Sequence, residues 1–369
     1  FSLTALIHCS SVLEKRSYLQ SWTIILAICT FILSMSGTFL VRSGILNSVH
    51  TFANDPERGA FVLIFLTILI LISLILYFKY NNFDRDHKSF FFSKETSIII
   101  NNWFMMYFLS VVLIGTVYPI FLEAITGTKI SVGPPYFNQL INPFLIPFLL
   151  LMAIGTKLDW IKNKKLEFKL RNIALLILSI LISFLIVRHL NTKILYLTVL
   201  ISAALYLLLV SIIDLKNKIF KWSQKISHLA FSVLIISIIL NSIFSQEFSV
   251  NMKVGEEKII SNHIIKFKKI YKQEIDNYTS IIAEFEIEEN EDKLKFYPEL
   301  RLYKVPETIT SEADIKTNLF NDNFLVVNYL KDTDYLNIRY QKKPFMMLIW
   351  LSAFMLGVGG ILGLRDKLK

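Results

Sequence analysis

The sequence predicts an all-α polytopic membrane protein: about eight full transmembrane helices plus a truncated one, with an inserted β-rich outer-face domain. Three observations predict it. Apolar residues gather in blocks of about twenty, the length that crosses roughly 30 Å of hydrocarbon. Lys and Arg concentrate in alternate segments between those blocks. One polar stretch, 245–343, replaces helical periodicity with strand-like alternation. A mean hydropathy of +0.52 with 18% charged residues excludes both a soluble globular chain and a disordered one.

The elements follow in order. Phe1 lies within an apolar run that lacks a basic n-region and a small-residue cleavage site, so it reads as the cut end of a helix rather than a signal peptide. The supplied chain is therefore expected to be a fragment or the product of a split gene. Full spans are expected at 22–42, 60–79, 97–118, 143–157, 172–188, 194–213, 226–244 and 345–364. The 143–157 span is short, and an extension at either end is left open. Pro134-Pro135 and Pro143/Pro147 are expected to act as breakers that bracket an outer loop and the start of that span. The domains are then 1–244, helical, with an outer histidine loop at 43–58; 245–343, β-rich; and 344–369, a final helix and tail.

Charge fixes the orientation. Segments 10–21, 79–96, 157–171, 214–225 and 365–369 hold 19 basic residues, and the opposite short loops hold five: Arg42, Arg58, Lys129, Arg188 and Lys193. The positive-inside rule places the first set in the cytoplasm or mitochondrial matrix. Most of the net charge of +10 is thus topology, and a nucleic-acid partner is not expected. Residues 245–343 carry 15 basic and 18 acidic residues, a change of sign that marks a separate outer domain. Its alternation is clearest over Ser280–Ile287 and Leu294–Tyr297. Cys9 and Cys29 lie in or beside apolar helices and form no CxxC pair, so thiol chemistry on this chain is not expected.

Histidine near a membrane span is costly without a partner, which makes each of the six a candidate. His8 lies about seven residues, or roughly 10 Å of helix, from Lys15. His228 lies three residues after Lys225 at the cytoplasmic start of its span. Charge topology puts both in the inner half of the bilayer. Two neutral imidazoles at one depth can ligate a haem iron axially; the alternative is a bond from each to a helix carbonyl or a water. His50 lies in the outer loop, where Ile45, Val49 and Phe52 recur at helical spacing and suggest a short surface helix. Asp55-Pro56-Glu57 then reads as an N-cap, a proline in the first turn and an acid beside it. His50 suits iron ligation or proton transfer, or is a solvated surface histidine. His87, His189 and His263 are expected to carry no function.

Other chemistry is excluded by pattern. The sequence contains no glycine-rich phosphate loop, HExxH or GxSxG. Carboxylates are scarce in the spans, with Glu123 and Asp214 near helix ends, which argues against a proton or ion pump. A secondary transporter would need paired broken helices and a repeat, and neither is evident apart from the prolines near 134–147. A non-catalytic structural subunit remains the alternative class.

The run Gly37-Thr38-Phe39-Leu40-Val41-Arg42-Ser43-Gly44-Ile45-Leu46-Asn47-Ser48-Val49-His50, continuing through Thr51-Phe52-Ala53-Asn54-Asp55-Pro56-Glu57-Arg58-Gly59, closely resembles the signature of the cytochrome c-type biogenesis family CcmF, a haem lyase subunit. Leu6-Ile7-His8 before Glu14-Lys15-Arg16, Ser227-His228-Leu229, Asn277-Tyr278-Thr279, Tyr297–Tyr303 and Lys343-Pro344-Phe345 also look like family features.

The resemblance implies roles. His8 and His228 match the family's membrane histidines, which hold a permanent haem b. His50 matches an outer histidine that ligates the transient substrate haem delivered by a haem chaperone. The family attaches that haem to the CxxCH thiols of apocytochrome c, beside a thiol-handling subunit, with quinol as a suggested electron source. Arg42 and Arg58 flank the His50 loop, and either pair with haem propionates or anchor headgroups. The resemblance implies a bacterial inner membrane or a mitochondrial inner membrane. The family's tryptophan-rich motif and its first outer histidine should precede Phe1 and are absent, so either a separate polypeptide supplies them or the chain has been cut. Lyase activity of this chain on its own is not expected.

Overall fold

A computed structural model describes residues 1–42, 56–80, 90–160, 170–189, 194–260, 263–289, 292–305, 307–330 and 333–368. Contacts divide the chain into two units, Phe1–Val210 and Ser211–Lys369.

The first unit is helical. Its elements are α1 (Ser2–Arg16), α2 (Gln20–Arg42), α3 (Pro56–Tyr80), α4 (Lys94–Thr126), α5 (Pro134–Gly155), α6 (Leu170–His189) and most of α7 (Ile194–Asp214). Local chemistry sets several ends. Ser17 closes α1 in the left-handed region (φ 50°), with its N–H donating to Leu13 O, while Lys15 and Arg16 lie in the last turn where cations complement the helix dipole. The Ser93 hydroxyl accepts from Thr96 N and caps α4, and Gly127 at φ 69° ends it.

The second unit begins with α8 (Trp222–Phe244) and ends with α9 (Met346–Leu368). Between them lie β1 (Gln246–Met252), β2 (Glu257–Ile260), β3 (His263–Glu274), β4 (Tyr278–Glu289), β5 (Asp292–Phe296), β6 (Glu299–Lys304), β7 (Glu307–Glu312), β8 (Asp314–Thr317), β9 (Asn321–Tyr329) and β10 (Leu336–Pro344). They form two antiparallel sheets. One runs β1-β10-β9-β8 and the other β2-β3-β4-β6-β7, with β5 also paired to β4. One edge of β4 serves two partners: Phe285–Glu289 pairs with β5, and Tyr278–Ile282 pairs with β6. Alternate residues face inward, so Ile265/Phe267, Phe285/Ile287, Leu325/Val327 and Ile338/Tyr340 meet in a sealed core. Phe267 stacks on Phe285 at 4.3 Å between ring centres. A bulge between Phe267 and Lys269 shifts the alternation of β3, and the strand is exposed beyond it.

Among the described residues, eight helices are long and apolar enough to cross a membrane, and they overlap the eight expected spans. The multi-pass architecture with a β-rich insert is therefore as expected. One expectation needs correction. The prolines at 134–147 do not delimit a loop and a short span. Pro134 and Pro135 occupy the first turn of α5, and Pro143 and Pro147 lie inside it. The first turn needs no N–H donors to the helix. Further along, Tyr107 Oη donates to Leu140 O at 2.9 Å, a bond from the neighbouring helix of the kind that lets membrane helices tolerate internal proline. Likewise α4 runs through Pro119 to Thr126, beyond the expected end at 118.

Candidate functional site

His8 owes its position to the packing of α1. Ala5, Cys9 and Val12 form a sealed stripe at helical spacing. Three polar contacts hold α1 against its neighbours within the first unit: Ser2 Oγ with Thr30 Oγ1 at 2.7 Å, Asn102 Nδ2 donating to Cys9 Sγ at 2.9 Å, and Arg16 Nε donating to Glu95 Oε1 at 3.1 Å. Glu95 is buried, so this ion pair is protected from solvent. The Lys15 and Lys94 ammonium groups each lie over the Trp160 ring, 5.4 and 5.3 Å from its centre. About 12 Å up the helix from Arg16, His8 lies beside the buried stripe and is half-buried. Its Nδ1 is 2.8 Å from Thr4 O. A carbonyl accepts only, so Nδ1 carries the proton and Nε2 keeps its lone pair. A second bond that fixes the tautomer in this way is the usual support of a metal-binding histidine.

His228 lies on α8 in the second unit and is half-buried. Its helix is held to α9 by small residues. A Cβ at Gly359 would meet Ser227 Oγ, and would come within 3.1 Å of the Ser227 backbone nitrogen. Gly363 faces Ser223, where a Cβ would lie 3.8 Å from the serine Cβ. Thus Gly359 and Gly363 on α9 meet Ser223 and Ser227 on α8, a small-xxx-small pairing that allows close backbone approach. Ser223 Oγ also donates to Asp366 Oδ2 at 2.8 Å. Lys225 Nζ donates to Leu215 O at 3.0 Å and lies 4.6 Å from the centre of the Trp222 ring. His228, next to Ser227, is therefore carried by a closely packed helix pair. Sequence reasoning missed this pairing, although the spacing Gly359…Gly363 and Ser223…Ser227 was there to be read.

The outer shelf is described only at its edges. His50 lies outside the described residues, as do Ile45, Val49, Phe52 and Asp55. Arg42 is the last residue of α2. α3 starts at Pro56 with Glu57 in its first turn, and Arg58 is exposed there. Among the remaining histidines, His87 lies outside the described residues and His189 is exposed at the end of α6. His263 is sealed between the two sheets, with ring centres 5.4 Å from both Phe248 and Tyr340. Its Nε2 is 3.6 Å from Glu289 Oε2, and Glu289 is itself bound by Lys342 Nζ at 2.8 Å. Lys342 lies on β10 and Glu289 on β4, so this ion pair clasps the two sheets together.

Two further features bear on chemistry. Among the described residues, no group of three or more His, Cys, Asp or Glu could hold a metal ion; axial haem ligation needs only one imidazole on each side. A cleft of ≈ 390 Å³ between α2 and α3, lined by Ile24, Ile28, Ser73, Leu76, Tyr77 and Tyr80, contains no histidine. Cys9 is buried and Cys29 lies within α2, so neither is presented as a nucleophile.

Comparison with known proteins gives one consistent answer. Residues 243–344 match the family described as the CcmF C-terminal beta-sandwich. The cytochrome c-type biogenesis protein CcmF of Pseudomonas aeruginosa is 31% identical over 99% of this chain, and that of Escherichia coli is 30% identical over 98%. The chain is similar to the CcmF proteins along nearly its whole length. It spans about 58% of the length of these relatives. A solved structure of the cytochrome c haem lyase CcmF superimposes with a TM-score of 0.73, covering 98% of this chain and 57% of that one at 17% identity. At that identity the superposition speaks for the fold. The chain thus combines a helical membrane portion with a β-sandwich that matches the CcmF model, and sequence similarity runs through both.

Proposed function

We propose that this chain is a haem lyase component that acts in cytochrome c maturation. The observation that carries the reading is similarity to CcmF proteins along nearly the whole chain, rather than at isolated motifs. His8 and His228 ligate a permanent haem b. The tautomer of His8 supports this, because Nε2 is left as the nitrogen able to bind iron. When bound, the haem would supply an electron-transfer centre, and His8 and His228 would be the residues that hold it.

The chain's other work is positioning. His50 holds the iron of the substrate haem delivered by a haem chaperone. Arg42 and Arg58 pair with its propionates through charge-assisted bonds. The nucleophiles are the two thiols of the CxxCH site in apocytochrome c: each S–H adds across a vinyl group, with the sulfur bonding to one carbon and a proton reaching the other. The β-sandwich docks the chaperone or a thiol-handling subunit. Quinol is the electron source, and the membrane is a bacterial inner membrane or a mitochondrial inner one.

Complementation tests this reading. The chain is produced, with the remaining portion of a relative, in cells that lack CcmF, and covalently attached haem is measured in c-type cytochromes. His8→Ala, His228→Ala and His50→Ala are each expected to abolish attachment, and Arg42→Ala to reduce it. Unchanged attachment in all three histidine variants would contradict the reading and favour a structural subunit.

A further inference from the structure

The hairpin joining β8 to β9 turns through Asn318–Asn321. Asn318 organises the turn: its Oδ1 accepts from Phe320 N at 2.9 Å and from Asn321 N at 2.7 Å, and its backbone N donates to Asn321 O at 2.9 Å. The result presents two adjacent large apolar side chains, Leu319 and Phe320, 69% and 74% exposed. Phe320 O accepts from Phe345 N at 2.9 Å. Phe345 is the residue immediately before α9, and its ring lies 6.4 Å from that of Phe244, the last residue of α8. Both helices are membrane spans. The hairpin tip is therefore tied by its backbone to the level at which α8 and α9 leave the hydrocarbon. Behind the tip the chain turns polar at once, with Asp322 opposite both Thr317 and Lys343.

We propose that Leu319 and Phe320 insert into the outer-leaflet interface of the bilayer and form a third membrane attachment of the β-sandwich, besides α8 and α9. An aromatic and an aliphatic side chain with a polar collar match the preference of the interfacial zone. The same pair left in water would be an exposed apolar patch. The occupant is lipid because the tip is continuous with the membrane entry of α9. A third point of attachment would stop the sandwich from tilting about its two helical tethers. The inference does not depend on haem binding.

Val305 provides the internal control. It is 90% exposed, but it follows Tyr303, which pairs with Tyr278 at the far end of β4. The near end of β4 is marked by Glu289, whose carboxylate meets Lys342 beside α9. Val305 thus belongs to the end of the sandwich away from α8 and α9.

The test uses the whole chain in phosphatidylcholine nanodiscs, in a Cys9→Ser/Cys29→Ser background. Leu319→Cys, Phe320→Cys and Val305→Cys are each labelled with an environment-sensitive fluorophore. Quenching is read with aqueous iodide and with a doxyl lipid. The expected result is a blue shift, loss of iodide quenching and gain of lipid quenching at 319 and 320, with the reverse at 305. Iodide quenching at 319 and 320 equal to that at 305 would overturn the proposal. Shielding from both quenchers would also overturn it, by showing that protein covers the tip. Two neighbouring label positions keep the outcome decisive if one variant folds poorly.

Discussion

In the sandwich, Phe267, Phe285, Phe296 and Tyr340 are sealed from solvent, and the Lys and Glu side chains lie outside them. In the helices, Phe61, Phe121 and Phe354 stand exposed, while Asn102, Ser179, Ser183, Ser202 and Ser232 are buried. The first region is assembled by moving apolar surface away from water. The second has no such drive, because lipid is as apolar as its side chains, and it is assembled by close backbone approach and hydroxyl or amide bonds. Ser183 Oγ and Ser202 Oγ, 2.6 Å apart between α6 and α7, and Gly359 against Ser227 represent the second mode. The same substitution should therefore cost far more in one region than in the other.

The largest effect is expected in the sandwich. Phe285→Ala removes a sealed ring stacked on Phe267 and should cost about 3–5 kcal/mol, read as loss of β-sheet circular dichroism on heating. A cost no larger than that of an exposed site would break the comparison. In the helices the damaging change is from small to large. Gly359→Leu forces α8 and α9 apart beside His228 and should cost roughly 1–3 kcal/mol, with weakened haem retention measured by absorbance after purification. Retention equal to that of the parent chain would sever the link between this helix contact and His228.

A third prediction concerns pH. Burial raises the Tyr340 phenol far above its ordinary value, and the nearby Glu289 charge adds to the shift. The folded value lies above the unfolded one. The contribution to stability is therefore whole below about pH 10 and is lost as pH rises through the folded value. Tyr340 should ionise in a late step, above the ordinary tyrosine range, in a tyrosinate absorbance titration. Tyr340→Phe should remove that late step, and should cost about 1–2 kcal/mol at neutral pH through the lost bond to buried Asn323. An unchanged titration would contradict the assignment. The smallest effect belongs to the lipid-facing side of α9: Phe354→Ala should change the melting midpoint in nanodiscs hardly at all, since the ring leaves lipid-like surroundings in neither state. A loss comparable to that of Phe285→Ala would sink the distinction between the regions.

Much of the architecture was legible because membrane spans and half-buried strands have strong, different periods. Ser280–Ile287 alternates and became most of β4; the apolar block at 226–244 became most of α8. The start of α5 was not legible, because four prolines read as breakers when no neighbouring helix is in view, and Tyr107 lies far away in the chain. The strand order was hidden for a related reason. The pairing of β1 with β10 joins Phe248 to Tyr340, and no local signal carries a contact of that range. At the site, the histidines were readable from their cost in or near a membrane. Their support was not: the Thr4 carbonyl behind His8 and the Gly359 contact beside His228 depend on helix geometry and on tertiary packing respectively. His263 shows the converse. Its residue type says nothing of its place between two sheets, which follows from the register of β3 against β4.

The most direct test of the account is the reduced visible spectrum of the chain, purified in detergent together with the portion of a CcmF relative that it does not match, with His8→Ala and His228→Ala alongside. The account predicts a low-spin b-type spectrum in the parent chain and its loss in both variants. A colourless parent from a fully assembled complex, or a spectrum unchanged in both variants, would contradict it.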